Sequence, residues 1–115
     1  MNSPVSKSKR LNLPPLPTGW CTYMLICLDN SFYIGLTDDL PTRIADHASG
    51  KGGGYTKSVK PTLFVWYESH ADRPSAAQRE RQLKTWSHTK KQRLARGLLP
   101  FDFGQPCRLP LLSNN

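Results

Sequence analysis

The stretch WCTYMLICLDNSFYIGLTDDLPTRIADH, Trp20 to His47, decides the fold. Two apolar, β-prone runs, WCTYMLIC and FYIGL, flank the turn residues LDNS, with Asp29 and Asn30 at the bend, so a β-hairpin is predicted. The two-residue period puts Cys21, Tyr23, Leu25 and Cys27 on one face of the first strand, and Ser31, Tyr33 and Gly35 on one face of the second. A matching register brings Tyr23 and Tyr33 to the same side of the sheet. TDDLPTRIADHASG then predicts a helix that Thr37 or Asp38 caps, that tolerates Pro41 in its first turn and that Gly50 ends. Leu40, Ile44 and Ala48 form its apolar stripe. Arg43 and His47 lie on one shoulder of that stripe, roughly 60° and 20° from Leu40. A guanidinium and an imidazole one helical turn apart beside a sheet suit a phosphate. A solvated surface helix has no need of them.

Outward from this stretch, KGGGYTKSVKP reads as a flexible basic loop and TLFVWYE as a third strand. ADRPSAAQRERQLKTW follows as a second helix, with Asp72 or Ser75 as its cap and a capping-box pattern from Ser75 to Gln78. SHTKKQRLARG is a short third helix, capped by Thr89 with Gln92 three residues on and closed at Gly97. The element order is β-β-α-β-α-α. Residues 1–19 read as a basic, proline-rich arm, 20–97 as the domain, and 98–115 as an irregular tail folded back through Phe101 and Phe103. On the second helix Ala76, Glu80 and Leu83 stand at i, i+4 and i+7, so Glu80 shares the core-facing stripe. Bare burial of a carboxylate costs several kcal/mol. Either Arg43 or Lys84 pairs with it, or it holds a metal ion together with water and a substrate phosphate, the usual manner of Mg²⁺.

A chain of 115 residues makes one domain, and 37% apolar with 21% charged residues permits a modest core. The net charge of +8 favours a polyanionic partner, nucleic acid before an acidic membrane surface. Lys84, Lys90, Lys91, Arg93 and Arg96 cluster with no acid among them. The odd cysteine count, Cys21, Cys27 and Cys107, without a C-x-x-C pair, indicates free thiols in a reducing compartment and argues against zinc. No stretch has the length of a membrane span, and the N-terminus lacks the apolar core of a secretory signal, so a cytoplasmic, nucleoid-associated protein is expected. GKGGGYTK fails the G-x-x-x-x-G-K-[ST] phosphate-loop template. Its neighbourhood instead offers Lys51, Lys57 and Lys60 to backbone phosphates and Tyr55 to a stacked base, with Lys84 a further cation.

Taken together, TYMLICLDNSFYIGLTDDLPTRIADHASGKG and LFVWYESHADRPSAAQRERQLKTW resemble the GIY-YIG nuclease domain, in particular its small stand-alone bacterial members, related to the nuclease half of the bacterial excision-repair protein. The similarity runs from about Trp20 to Leu94 and rests on separated elements in order: Tyr23, YIG at Tyr33–Gly35, Arg43 with His47 a turn on, and Glu80. The resemblance implies an α+β fold with a small three-stranded antiparallel sheet flanked by helices. It also implies hydrolysis of DNA phosphodiester bonds in DNA repair or processing, with one Mg²⁺ or Mn²⁺ ion. RNA as substrate stays open, no membrane is involved, and a monomer or weak homo-oligomer is expected. The family's two motif tyrosines fall on Tyr23 and Tyr33, its helix arginine on Arg43, its histidine or tyrosine on His47, and its metal-binding glutamate on Glu80.

Two departures stand out. The first motif reads CTY, without the family's glycine and isoleucine, and Leu36 stands where some relatives carry a lysine. They support a second reading, a nucleic-acid-binding module that does not cut. A third is a basic adaptor for proteins or membranes. In the nuclease reading Glu80 holds the metal, Arg43 clamps the phosphate, Tyr33 orients water or leaving group, and Gly35 gives the backbone turn. An unperturbed tyrosine needs about 4 kcal/mol to ionise at neutral pH, whereas histidine titrates near 6.5, so either Tyr23 or His47 serves as the base.

Overall fold

The hairpin forms with strands β1 (Cys21–Cys27) and β2 (Phe32–Thr37), turned by Leu28 to Ser31. Asn30 takes the left-handed conformation at φ 69°, which Asn tolerates better than most residues. The remaining elements are α1 (Leu40–Ala48), β3 (Pro61–Ser69), α2 (Arg73–Lys84), α3 (His88–Ala95) and β4 (Gln105–Pro110). They belong to a computed structural model that describes residues 16–50, 59–100 and 104–111.

The sheet has four strands, in the order β2-β1-β3-β4, all neighbours antiparallel. The expected three-stranded sheet is therefore one strand short. The addition comes from the stretch 98–115 that reads as irregular, since QPCRLP carries two prolines and an arginine in six residues. β4 is an edge strand, where a proline's missing N–H need not cost a ladder bond. Beyond it Leu111 is buried and donates its N–H to the carbonyl of Thr62.

Alternation along the strands divides the core into two clusters, one on each face. On the first, α1 lays Leu40 and Ile44 over Cys21, Tyr23, Leu25, Phe64 and Tyr67. On the second, α2 and α3 lay Leu83 and Leu94 over Met24, Ile34, Val65 and Trp66. Val65 and Trp66 are consecutive yet share a cluster because β3 shifts register there: Trp66 pairs with Met24 and Phe64 with Leu25.

The caps of α1 and α3 depart from the expected ones by one or two residues, while that of α2 is the expected Asp72. Asp39, neither Thr37 nor Asp38, caps α1, accepting from the N–H of Thr42 at 3.3 Å. Pro41 occupies the first turn and has no N–H, so the donor to be satisfied is that of Thr42. Asp72 caps α2 through Ser75 at 3.0 Å. Ser87, not Thr89, caps α3, accepting from Lys90 at 3.1 Å, and Thr89 lies inside the helix. All three cysteines are free; Cys21 and Cys27 are buried and Cys107 is half-buried.

Candidate active site

Tyr23 and Gly35 are direct partners across β1 and β2, and Leu25 faces Tyr33. Tyr23, Leu25, Tyr33 and Gly35 thus share the face that α1 covers. Gly35 is no turn residue, contrary to expectation: it lies inside β2. Its function is space. A Cβ there would sit 2.6 Å from the Tyr23 hydroxyl oxygen and 2.7 Å from the adjoining ring carbon, so only glycine lets the phenol lie across the edge strand.

The stripe of α1 is Leu40, Ile44 and His47 in place of Leu40, Ile44 and Ala48; Ala48 is exposed and the imidazole is buried. His47 Nε2 stands 2.7 Å from the Tyr23 hydroxyl. The Tyr33 ring completes a triangle, its centroid 6.2 Å from that of Tyr23 and 5.2 Å from that of His47. Burial dominates the electrostatics. Desolvation, reinforced by the charge Tyr33 can carry, pushes the Tyr23 phenol well above its ordinary range, and Arg43 only partly offsets this. Desolvation, then the positive charge of Arg43, lowers His47 to about 4. Both groups are neutral at pH 7.

Arg43 and Glu80 complete the set through their fields. Arg43 touches Asp46 only loosely, at 3.9 Å with its side chain 40% exposed, which leaves it able to turn toward an anion. Glu80 rides on α2, the helix that packs on the other face of the sheet, where Thr22 Oγ1 donates to the carbonyl of Ala76. It nonetheless lies close enough for its charge to raise the Tyr23 phenol, as Arg43 lowers it. Glu80 is not a core residue as its spacing suggests. Ala76 and Leu83 are buried, while Glu80 sits on the shoulder and meets Lys84 at 3.2 Å, one of the two pairings anticipated.

A resident metal cage would need several donors, and among the described residues no group of three His, Cys, Asp or Glu converges. One partly buried carboxylate fits an ion that takes its remaining ligands from water and a phosphate. Lys84 lies beside Glu80, whereas Lys60 is exposed at the start of β3, its carbonyl accepting from Leu28 near the hairpin turn. Lys51, Tyr55 and Lys57 lie outside the described residues.

A second polar cluster was not legible in the sequence. Arg79 Nε donates to Glu68 Oε1 at 3.0 Å, and His70 Nε2 approaches the same oxygen at 3.0 Å. The Arg79 guanidinium also lies 5.6 Å from the Trp66 ring and 5.4 Å from that of Trp86, while Lys90 stands 4.0 Å from Trp86.

Residues 19–93 match the family described as the GIY-YIG catalytic domain. Among curated relatives, the UPF0213 protein of Bacillus pumilus is 42% identical over 69 residues, 60% of this chain and 70% of that one. That of Staphylococcus haemolyticus is 39% identical over 72 residues, 63% of this chain and 88% of that one. A UPF0213 protein of Vibrio cholerae is 35% identical over 92 residues, 79% of this chain and 91% of that one. No solved structure matches significantly.

Proposed function

Because the chain belongs to the GIY-YIG family, we propose that it is a divalent-metal-dependent endonuclease acting on DNA. The observation that carries the reading is the 2.7 Å contact of Tyr23 with a neutral, buried His47, on which the charge of Arg43 acts, while those of Arg43 and Glu80 act on Tyr23.

Phosphodiester hydrolysis needs a deprotonated water, charge neutralisation on the phosphate and a stabilised leaving oxygen. Arg43 binds the phosphate through its paired N–H groups. A Mg²⁺ or Mn²⁺ ion held by Glu80 would supply Lewis-acid stabilisation of the phosphate oxygens. Tyr23 keeps its proton at neutral pH, and its hydroxyl shares a 2.7 Å hydrogen bond with His47 Nε2; the relay uses the tautomer in which Nε2 accepts and the imidazole's own proton is on Nδ1.

The choice between the two bases resolves into a relay. Ionising Tyr23 alone at pH 7 costs more than about 4 kcal/mol, since its pKa exceeds 10, and sets a phenolate beside an anionic phosphate. Protonating His47 alone costs about 4 kcal/mol, and the incoming phosphate reduces that figure by opposing Arg43. If Tyr23 takes the proton of water as it passes its own to His47, the tyrosine itself stays neutral: the positive charge forms on the imidazole, next to the anionic phosphate, and the negative charge on the water oxygen passes to the phosphate as that oxygen bonds to phosphorus. Tyr33 edges onto His47 and orients the water or leaving oxygen.

Labelled single- and double-stranded DNA incubated with the protein and Mg²⁺, Mn²⁺ or EDTA tests the reading. Metal-dependent cutting that Glu80→Gln abolishes while the fold persists is the expected result. Tight binding without cutting under any metal would replace the endonuclease with a binding module of the same fold.

A further inference from the structure

Beside the candidate site, on the α2 and α3 side of the sheet edge, a cleft of about 290 Å³ is lined by Phe32, Tyr33, Ile34, Lys84 and Lys91. Its size matches the small end of ligand pockets. Phe32 is half-buried, and its ring centroid lies 4.8 Å from that of exposed His88 with 43° between the planes. At that separation the two rings touch, so His88 buttresses Phe32, and Phe32 is the aromatic ring that lines the cleft. Ile34 gives an apolar floor, and Lys84 and Lys91 set two ammonium groups at the rim. Among the described residues no carboxylate pairs with Lys91, and Glu80 alone pairs with Lys84.

We infer that this cleft receives one unstacked nucleobase of the substrate strand, flanking the cleaved bond, with its adjoining phosphate held by Lys84 and Lys91. The combination selects the occupant. A stacked base takes an aromatic face and tolerates any sequence, while its phosphate asks for cations at the rim. A purely apolar peptide side chain would leave the Lys91 ammonium without a partner, and a membrane surface is too broad to enter a cleft of this size. Tyr33 belongs both to the cleft and to the Tyr23–His47 triangle, so one nucleotide in the cleft delivers its neighbour to the proton relay. Lys91 and His88 fall on none of the family's motif positions; the topology alone brings them to β2.

The inference rests on the nucleic-acid reading, and a binding experiment separates the two. Fluorescence anisotropy of a labelled oligothymidylate is measured on the full chain carrying Glu80→Gln, without metal, so cleavage plays no part. A single abasic residue is walked along the oligonucleotide. One position should lose about tenfold in affinity, from the 1–3 kcal/mol that a stacked base contributes. Phe32→Leu, which keeps an apolar side chain for the core, should bind about tenfold more weakly and erase that positional dependence, while Phe32→Tyr should bind as the parent. Lys91→Ala should weaken all sequences alike and reduce the slope of log affinity against log salt by about one. Circular dichroism melts verify that each variant folds. Equal loss at every abasic position, or parent-like binding by both Phe32→Leu and Lys91→Ala, overturns the inference whether or not the unmodified chain cleaves DNA.

Discussion

The two faces of the sheet each hold a buried polar cluster, and they treat charge in opposite ways. On the face of α2 and α3, Glu68 and Arg79 are each 11% exposed, 3.0 Å apart, and the guanidinium is enclosed by Trp66 and Trp86. Within this cluster Glu68 has its counter-charge, and Arg79 has both a counter-charge and two aromatic faces. On the face of α1, Tyr23 and His47 are more deeply buried, each 1% exposed. They avoid the penalty by being neutral and sharing one short hydrogen bond. The difference teaches how a small domain separates stability from chemistry. Saturated charges hold the fold, and neutral groups kept far from their ordinary titration ranges await a substrate.

The largest effect expected is on the α1 face. Tyr23→Phe retains the ring and its packing but removes the relay, and should lower the cleavage rate by 10²–10⁴-fold, roughly the range of general acid–base catalysis, in single-turnover assays. Its stability should fall by only about 1 kcal/mol, for one buried hydrogen bond. Glu68→Gln should invert this pattern. It leaves a buried guanidinium without its anion, so the urea midpoint should drop by an amount equivalent to about 3 kcal/mol, with cleavage per folded molecule unchanged. If Glu68→Gln were to lose activity without losing stability, the division between the faces would fail.

A smaller effect is expected from pH. His47 titrates near 6.5 when unfolded and at about 4 when folded, so the unfolded chain binds more protons between those values. Stability is complete above pH 6.5 and is lost as pH falls toward 4, by roughly 3 kcal/mol in all. Urea titrations across this window should show the slope, and His47→Asn should flatten it. Asp29 and Asp72 have their carboxyls held below the ordinary range by hydrogen bonds from Ser31 and Ser75, so they act below this window. The smallest effect is that of Lys84→Met. Its Nζ lies 3.2 Å from Glu80 on a side chain 57% exposed, and melting should move by no more than about 0.5 kcal/mol.

The hairpin, α1, β3 and α2 were legible because each carries a strong period and local punctuation. Tyr23 and Tyr33 sharing a face followed from alternation once the register was fixed, and the 20° offset of His47 from Leu40 already placed it nearer the stripe than Arg43. What escaped is nonlocal or locally contradicted. β4 reads against strand because Pro106 and Pro110 lie within it, and only its place beside β3 makes it one. Gly35 invites a turn reading, and its true reason, the phenol of a residue twelve positions earlier, exists only in three dimensions. Glu68 lies on β3, Arg79 on α2 and Trp86 in the turn between α2 and α3; they form no motif, so their union could not be read from spacing.

The cysteines carry one practical consequence. Burial holds all three thiols protonated, Cys107 pushed up to about 12, and a protonated thiol is a poor nucleophile toward peroxide or maleimide. The native chain should therefore resist oxidants and alkylating dyes. A single cysteine placed at exposed Arg93 would take up a fluorophore alone, giving a reporter on the basic helix without first stripping the protein of its own sulfur.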